Sequence, residues 1–492
     1  MNYYLAAIVA LVSYILYKCY IYPLYLSSLR KIPGPPVGNL ILGHYDSFLN
    51  QGLGEALAYL ANQYGGIVRY HSLFNQPFIL ISDPKLLQQV LVNHSYDYPK
   101  TFIDRTIKEY FGEGILISNG DSHKRQRKMM TPSFSFANVK EMVPTFVQAG
   151  HKLKDIWMKQ IGNKKEERIT ITALIPMITL DIIGLVGFNY EFNSTTSETE
   201  MAQAYKFITN YNPSPLYAAL VDRFPFIRKL PTSYNYQYYD SVRIINTVSE
   251  KLVTEQKKTP TRGKDLLSLL VKANENLPAD EQLTHKELVS QVMTLILAGY
   301  ETTSTALSWA LYFLAKHPDI QDRLRKEILD VFINSDHFQT FEEIDQLKYL
   351  ECVFKETLRV VPPVPVLLRH NLKDEIMNGY VIPKNTPLMI PIYAIHHDPL
   401  IWGGDADNFN PSRWLDPEIK SKISNIHFLT FGVGPKSCLG LKMAHLELKS
   451  ILSVLIRNFE FRLVEGFAFK KKITGLSKPD PGMDLLISKL DY

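Results

Sequence analysis

One cysteine of this 492-residue chain lies in a glycine-rich segment, FGVGPKSCLG (431–440), which precedes an apolar run with helical spacing. A cysteine sulfur attacks a substrate or binds a metal as the thiolate, and this form needs nearby hydrogen-bond donors and positive charge. The glycines allow main-chain N–H groups to point at Cys438, the following helix offers its N-terminus, and Lys436 adds a cation. The segment therefore indicates a chemical role for this cysteine.

Three interpretations of Cys438 remain open from these residues alone. A nucleophile needs a histidine base, and the nearest histidines, His427 and His445, have no recognisable nucleophile spacing. A single cysteinate ligand needs a cofactor that supplies the remaining metal coordination, as haem does. A buried free thiol in a glycine loop is the third interpretation, but three glycines at fixed places in so short a segment match chance poorly.

A second candidate group lies in the longest predicted helix, which begins at a capping box on Thr284 and runs for about 33 residues. Its apolar sequence is interrupted by AGYETT (298–303), where Glu301 precedes Thr302. A carboxylate beside an alcohol is a plausible proton-delivery pair. Gly299, together with a Thr302 hydroxyl bonded one turn back, predicts a local bulge or groove at this point.

A third pair of polar residues, Glu356 and Arg359, lies on a predicted helix from about Leu347 to Val361. The apolar residues of this helix form one stripe, and the pair falls on the opposite face. Periodicity alone therefore predicts a solvent-exposed ion pair that contributes little to stability.

The elements that must position these groups are mostly helical. Short strand-like runs such as IVRYHSL and PFILIS occur between about Leu53 and Tyr98, and after about Ser122 the apolar residues recur with helical spacing. No internal repeat or low-complexity tract divides the chain. We therefore expect a mainly α protein with a smaller β-rich region, built as one large domain.

Charge and cysteine content exclude several classes of protein. The net charge is +5, and the basic residues are spread along the chain, so a nucleic-acid partner is not indicated. Three scattered cysteines without a CxxC pair do not form a disulfide framework. The bulk of the chain is therefore expected to face a reducing compartment.

The N-terminal segment is apolar, with Lys18 as the one charged residue between Tyr3 and Leu29. About 20 apolar residues span a bilayer as a helix. No basic region precedes this run and no small-residue cleavage site is evident, which favours an uncleaved anchor over a cleaved signal peptide. Arg30 and Lys31 follow and predict a cytoplasmic location for the rest of the chain, and IPGPP (32–36) predicts a stiff extended link.

These segments resemble, in type and order, the cytochrome P-450 haem-thiolate monooxygenases of the membrane-anchored eukaryotic microsomal type. FGVGPKSCLG is similar to the family's haem-binding loop, AGYETT to its oxygen-activation motif, ETLR to its ExxR helix, and NPSRW to its P-x-R-[FW] segment. The resemblance covers essentially the whole chain. It implies the cytochrome P-450 fold, with residues 1–29 as membrane anchor, 30–38 as basic, proline-rich hinge and 39–492 as haem-thiolate catalytic domain.

The resemblance implies haem b as cofactor, with Cys438 as the axial ligand of its iron and Phe431 in the same binding loop. The positions that the family uses to hold the haem propionates are here His123, Arg127, Arg369 and Lys436. Two of these are departures, because His123 stands where the family commonly has tryptophan, and Lys436 where it commonly has arginine. A lysine keeps the charge but loses the two-pronged geometry of arginine.

The resemblance also assigns roles to the other polar groups. Glu301 and Thr302 become the proton-delivery pair of the distal helix. Glu356 and Arg359 move from the expected surface into a buried triad with Arg413, whose role is to support the haem loop. A buried charged triad tolerates the loss of no partner, since an unpaired buried charge is costly.

The implied reaction inserts one oxygen atom of O₂ into a lipophilic small molecule. The chain carries no nicotinamide or flavin fingerprint beside these motifs, so NADPH would act through NADPH-cytochrome P-450 reductase, with cytochrome b5 as an additional candidate donor. The expected location is the endoplasmic reticulum membrane. Apolar candidates for the substrate pocket are Ile115, Leu116, Ala298, Val366, Leu367 and Leu476. Basic candidates for a reductase-docking surface are Lys124, Arg125, Lys128, Lys442 and Lys449.

Two other functions are compatible with a haem-thiolate protein. An isomerase or dehydratase needs no external electrons and usually lacks the acid–alcohol pair that is present here. A non-enzymatic, membrane-anchored haem binder would need neither Glu301 nor Thr302.

Overall fold

The computed structural model describes residues 2–45, 47–48, 52–101, 108, 111–196, 199–210, 217, 220–221, 224–258, 263–332, 337–473 and 475–490. The chain forms two compact units. The first contains residues 1–103, 364–407 and 421–437, and the second contains residues 104–363, 408–420 and 438–492. Helices predominate over short strands, which confirms the predicted mainly α class with a smaller β-rich part.

The α-helices span Asn2–Leu16, Leu53–Tyr64, Pro84–Gln88, Gly120–Met130, Phe136–Lys140, Val143–Ile161, Ile171–Phe188, Glu200–Asn210, Ser233–Lys258, Leu266–Glu275, His285–Lys316, Pro318–Val331, Phe341–Gln346, Lys348–Val360, Ile392–His396, Pro399–Trp402, Pro417–Lys422 and Leu441–Asn458. The strands are β1 (Ile67–His71), β2 (Pro77–Ile81), β3 (Glu166–Thr170), β4 (Leu367–His370), β5 (Glu375–Met377), β6 (Tyr380–Ile382), β7 (Pro387–Ile390), β8 (Phe459–Leu463), β9 (Lys470–Ile473), β10 (Ser477–Asp480) and β11 (Asp484–Lys489). Three of these helices contain or adjoin the candidate residues. We call His285–Lys316 the long helix, Lys348–Val360 the ExxR helix and Leu441–Asn458 the cysteine helix.

The apolar N-terminal segment is helical and unburied. Within Tyr3–Lys31, an 18-residue window has a mean hydropathy of 1.7 and none of it is buried, so this segment is long and apolar enough to cross a membrane. The helix Ile171–Phe188 is more apolar, with a mean hydropathy of 2.1, but 67% of it is buried, which identifies it as a core helix.

The segment that follows the apolar helix is anchored in the first unit. Leu29 and Ile32 are buried in a cluster that also contains Met377 and Ile382. The Pro33 carbonyl accepts a hydrogen bond of 2.8 Å from the Arg69 N–H. The proline-rich link is not helical, as its prolines predict, and this bond joins it to β1.

The sheet of the first unit has the strand order β1-β2-β7-β4, in which β2 and β7 are parallel and the other neighbours are antiparallel. Apolar residues cluster on its two faces, because side chains alternate along each strand. The expected β-rich region around residues 53–98 thus supplies only half of the sheet. Strands β4 and β7, from far along the chain, complete it.

The long helix is the central element of the second unit. It begins with the predicted capping box, in which Thr284 and Glu287 bond each other's main chain. The helix continues without a break through Gly299, so of the predicted bulge or groove the bulge is wrong. A Cβ on Gly299 would lie 2.9 Å from the Ile183 side chain, which shows that this glycine allows close packing of the helix Ile171–Phe188.

An ion-pair cluster joins the ExxR helix to the cysteine helix. The Glu351 carboxylate lies 3.1 Å from Lys355, 3.4 Å from His445 and 4.0 Å from Lys449. Burial opposes ionisation of Glu351, but the hydrogen bond and charge of His445 and the charges of both lysines outweigh it and lower the pKa to about 2. The Lys449 side chain is only 5% exposed, so its expected place on a docking surface is wrong.

Candidate functional site

Cys438 lies just before the cysteine helix, whose N-cap is Gly440. The cysteine is exposed, and its sulfur accepts a hydrogen bond from the Gly440 main-chain N–H. Desolvation by the surrounding protein raises the pKa of the thiol, while the Gly440 N–H and the charge of Arg127 act in the opposite direction. A bound metal cation would shift this balance to the thiolate.

No group of three or more His, Cys, Asp or Glu side chains in the described residues could hold a metal ion. The interpretation of Cys438 as a nucleophile gains no support from His445. This histidine pairs with Glu351 and makes an edge-to-face contact with the Phe354 ring.

The three glycines of this loop differ in their roles, although the sequence predicts that all of them direct N–H groups at the sulfur. Gly432 and Gly434 have φ of 63° and 72°, a region that side chains disfavour. A Cβ on Gly434 would lie 2.4 Å from the Leu91 carbonyl oxygen. Gly440 alone of the three donates its N–H to the sulfur, and its φ of −82° is ordinary. Gly434 therefore serves a close main-chain contact rather than the sulfur.

A buried cation, Arg369, and a half-buried cation, Lys436, adjoin each other in the first unit. Arg369 on β4 is 6% exposed, and burial lowers its pKa to about 10. Burial and the charge of Arg369 lower the pKa of Lys436 to about 8. Neither side chain forms an ion pair with an acidic residue in the described part of the chain. Two like charges in such surroundings are suited to an anionic group of a bound molecule.

Lys436 also joins the cysteine loop to residues 95–98 within the first unit. Its ammonium donates hydrogen bonds of 2.6 Å to the Ser95 carbonyl and 2.8 Å to the Tyr98 carbonyl, and it lies over the Tyr96 ring. An ammonium carries three N–H donors, so these two carbonyls leave one donor for a ligand. Phe431, in the same loop, is half-buried.

His123 and Arg127 lie one turn apart on the helix Gly120–Met130, in the second unit. Spacing of four residues places both side chains on one face of that helix. His123 is buried and Arg127 is half-buried. Arg127 is near enough to Cys438 for its charge to lower the pKa of the thiol. One of the residues predicted to hold a haem propionate therefore lies close to the cysteine.

The long helix is open along one narrow stripe. From Leu288 to Leu311 every residue is buried except Leu295, Ala298, Gly299 and Thr302, which recur at helical spacing on one face. The Thr302 hydroxyl donates to the Ala298 carbonyl at 2.8 Å, as the sequence predicts. An alcohol that lies on an open face and is bonded only to its own helix can exchange that bond for one to a ligand.

Glu301 points away from this stripe. Its side chain is 7% exposed, and its carboxylate lies 2.6 Å from the Lys478 ammonium of β10. The carboxylate and the Thr302 hydroxyl thus bond to different groups, although the two residues are neighbours in sequence. No sequence signal links Lys478 to Glu301, because the two belong to distant segments.

Glu356 is the centre of a buried network in the second unit. Its carboxylate accepts at least five hydrogen bonds, two from Arg359 and one each from the Asn410 N–H, Arg413 and the Trp414 indole. Glu356, Arg359 and Arg413 are all fully buried at their side chains. The surface ion pair expected from periodicity is therefore wrong.

The candidate pocket residues are distributed over both units. Ile115 and Leu116 lie half-buried in a turn tied to the long helix, where the Ile115 N–H donates to Gln291 at 2.9 Å. Ala298 is exposed on the open stripe, and Leu476 is half-buried before β10. The remaining two, Val366 and Leu367, are half-buried in the first unit and pack against its two apolar clusters.

Most of the candidate docking cations have acidic neighbours. Lys124 lies 2.9 Å from Asp121, and Lys128 lies 2.9 Å from Glu281. Arg125 is paired with Glu287. Lys442 is exposed and lies over the Phe136 ring. These residues are compatible with a solvated face whose charges are largely neutralised.

Comparisons with known proteins agree with the motif order. A family model described as "Cytochrome P450" matches residues 32–487. Cytochrome P450 monooxygenase 128 of Postia placenta is 31% identical over 89% of this chain and 87% of its own length. Cytochrome P450 monooxygenase sphH of Aspergillus fumigatus is 32% identical over 92% and 86%. Cytochrome P450 monooxygenase claQ of Ampulloclitocybe clavipes is 33% identical over 82% and 80%.

Replacement of Glu356 by alanine is expected to unfold much of the second unit. The substitution leaves two buried guanidinium groups without their shared carboxylate. This should lower the free energy of unfolding by about 3–5 kcal/mol. We expect a strongly reduced yield of soluble protein and a lower midpoint of urea unfolding. The control is Glu465→Ala at an exposed position, which should change the midpoint little. A Glu356→Ala protein with wild-type yield and midpoint would contradict the role of the network.

The two glycines Gly434 and Gly466 form a matched pair, because both have φ of 72°. A Cβ on Gly466 would meet nothing within 4 Å, whereas on Gly434 it would meet the Leu91 carbonyl. Alanine at either position adds about 1 kcal/mol of backbone strain, so we expect Gly434→Ala to be clearly the more destabilising in urea unfolding. Equal midpoints for the two variants would show that the close contact is unimportant.

Proposed function

Because this chain belongs to the cytochrome P450 family of monooxygenases, we propose that it is a haem-thiolate enzyme that inserts one oxygen atom of O₂ into a lipophilic small molecule, using electrons from NADPH. The observation that carries this proposal is the exposed Cys438 with the Gly440 N–H at its sulfur and the charge of Arg127 nearby. A nucleophilic cysteine would need a histidine base, and a structural thiol would need no access.

The residues present fit haem b. Cys438 would bind the haem iron through its thiolate, and the buried Arg369 with the half-buried Lys436 would supply the positive charge that a propionate requires. His123 and Arg127 are proposed as further propionate contacts and Phe431 as a packing residue of the same loop. The assignment of all these residues to one haem rests on the family resemblance. When bound, haem supplies the iron at which O₂ is reduced, and the thiolate ligand favours O–O cleavage.

The side chains of the long helix would manage protons for this reaction. Thr302 holds a hydroxyl proton at Oγ1 on the open stripe, where an oxygen-containing ligand can accept it. Glu301 holds a carboxylate that can take a proton from water and return it toward the stripe. The pair is proposed to supply the protons that turn one oxygen atom of O₂ into water.

The open stripe and its apolar neighbours support a lipophilic substrate. Ala298, Leu476 and the turn at Ile115 and Leu116 are proposed to contact it in the second unit, and Val366 and Leu367 in the first. A site lined by such residues binds by burial of apolar surface.

Electrons would come from NADPH-cytochrome P-450 reductase, with cytochrome b5 as an additional donor. We propose residues 1–29 as a single anchor in the endoplasmic reticulum membrane, 30–38 as the hinge and 39–492 as a cytosolic catalytic domain. Exposed Lys124, Lys128 and Lys442 remain candidates for contact with an acidic reductase surface.

Turnover by the full-length chain tests the proposed function. The protein is mixed with NADPH-cytochrome P-450 reductase in phosphatidylcholine vesicles, with dodecanoic acid, cholesterol, limonene or 7-ethoxycoumarin as probes for four substrate classes. We expect oxidised product that depends on NADPH, on the reductase and on O₂. A hydroxylated product should carry ¹⁸O when formed under ¹⁸O₂. Product that forms without NADPH would indicate an isomerase or dehydratase, and NADPH- and reductase-dependent turnover that is absent for every probe would contradict the proposal.

Replacement of Thr302 by alanine should uncouple NADPH use from product formation. The variant loses the hydroxyl on the open stripe, and general acid–base groups contribute on the order of 10²–10⁴-fold to proton-transfer steps. We expect NADPH oxidation to continue while hydrogen peroxide replaces most of the product. Thr302→Ser should retain most of the coupling.

Thr303→Ala is the matched control for this prediction. Thr303 is the next residue, and its hydroxyl donates to the Gly299 carbonyl at 2.6 Å in the same way, but its side chain is buried. Peroxide should therefore stay near the wild-type amount in Thr303→Ala. Full coupling in Thr302→Ala, or equal uncoupling in both variants, would exclude a specific role for Thr302.

A further inference from the structure

The Glu301 carboxylate forms an ion pair with Lys478. Lys478 lies 2.6 Å from Glu301 Oε2, and it is the only ion-pair partner of Glu301 among the described residues. The two side chains differ in access to water, because Glu301 is 7% exposed and Lys478 is 22% exposed. Lys478 is thus the more solvent-accessible member of the pair.

Lys478 is held in place by the residue before it. The Ser477 N–H donates to the Pro363 carbonyl at 2.9 Å, and its hydroxyl donates to the Pro362 carbonyl at 2.8 Å. The Ser477 carbonyl accepts a bond of 2.7 Å from the Trp309 indole. Ser477 is 1% exposed, so these bonds are shielded from competition by water.

This clamp connects the lysine to the helix that carries the acid. Trp309 and Glu301 both belong to the long helix, about two turns apart. The same helix therefore presents the carboxylate and fixes the strand from which its partner extends. Lys470, on the neighbouring strand β9, is exposed. The partial burial of Lys478 is therefore not shared by every lysine of this two-stranded sheet.

The other polar neighbour of Glu301 supplies no positive charge. Tyr300 is 4% exposed, and burial together with the charge of Glu301 raises the pKa of its phenol far above the usual value. The phenol stays neutral. Without Lys478, the buried carboxylate would have no ion-pair partner among the described residues, and nothing would keep it from turning toward water.

We propose that Lys478 is a positioning residue for proton delivery, because its ammonium fixes the Glu301 carboxylate in one orientation on the long helix. This inference rests on the proposed function, in which Glu301 relays protons. In each passage the carboxylate accepts one proton from water and gives one up, while the lysine retains its charge. No electron or further reactant is required.

The test uses the full-length protein with the reductase, in the vesicles described above, and the probe that the wild-type chain oxidises fastest. Product and hydrogen peroxide are both measured per NADPH consumed. We expect Lys478→Met to lower product per NADPH by at least about threefold and to raise peroxide, with KM changed by less than about twofold. Lys478→Arg, which keeps the charge, should restore most of the coupling. Lys470→Met is the matched control and should behave as wild type.

A double-mutant cycle shows whether the lysine acts through the acid. If it does, Lys478→Met should cause no further loss of product in a Glu301→Gln background. Multiplied losses in the double variant would assign Lys478 a separate structural role and overturn the inference. Wild-type coupling in Lys478→Met would overturn it as well. Lys478→Gln repeats the comparison if the methionine variant is unstable.

The same cycle separates the two proposals. Wild-type coupling in Glu301→Gln would overturn the proposed relay role of Glu301, and the inference about Lys478 with it. Uncoupling in Glu301→Gln together with full coupling in Lys478→Met would overturn only the inference. Haem content, measured for each variant, ensures that the comparison concerns proton delivery and not loss of the cofactor.

Discussion

A thiol that binds a metal must lose its proton inside a protein that makes this loss unfavourable. At Cys438, desolvation raises the pKa, and only the Gly440 N–H and the charge of Arg127 oppose it. The start of the cysteine helix adds a favourable dipole, although the helix begins at Leu441, after the cysteine. The Gly440 N–H and the charge of Arg127 thus favour the thiolate, the form in which a cysteine binds a metal, and a bound cation would favour it further.

The Glu356 network and the pair Arg369 and Lys436 differ in whether their charges are balanced within the chain. Glu356 is saturated by donors from its own unit, so its network needs nothing from outside and serves stability. Arg369 and Lys436 are the reverse case. Burial lowers both pKa values, the charge of Arg369 also lowers that of Lys436, and no acidic residue in the described part of the chain pairs with them. The Glu356 network is complete within its own unit, whereas the buried Arg369 and the half-buried Lys436 are suited to an anion from elsewhere.

Local features were predictable from the sequence, and contacts between distant segments were not. The capping box at Thr284 and the Thr302 bond to Ala298 depend on residues within one turn, and both were predicted correctly. Periodicity placed Glu356 at the surface, because it does not register Arg413 and Trp414, which come from another segment. The same limit explains why Lys478 was missed and why Lys449 was assigned to the surface although Glu351 holds it in the interior. Motif resemblance recovered the Glu356 triad because it carries information about distant partners.

The central claim is that the Cys438 thiolate is the axial ligand of a haem iron. The most direct test is the absorption difference between the reduced protein with and without carbon monoxide, measured for the wild-type chain and for Cys438→His at equal haem content. The account predicts the long-wavelength Soret band of thiolate-ligated haem in the wild-type chain and its replacement by the shorter-wavelength band of histidine-ligated haem in the variant. The same long-wavelength band in both proteins, or its absence from haem-loaded wild-type protein, would contradict the account.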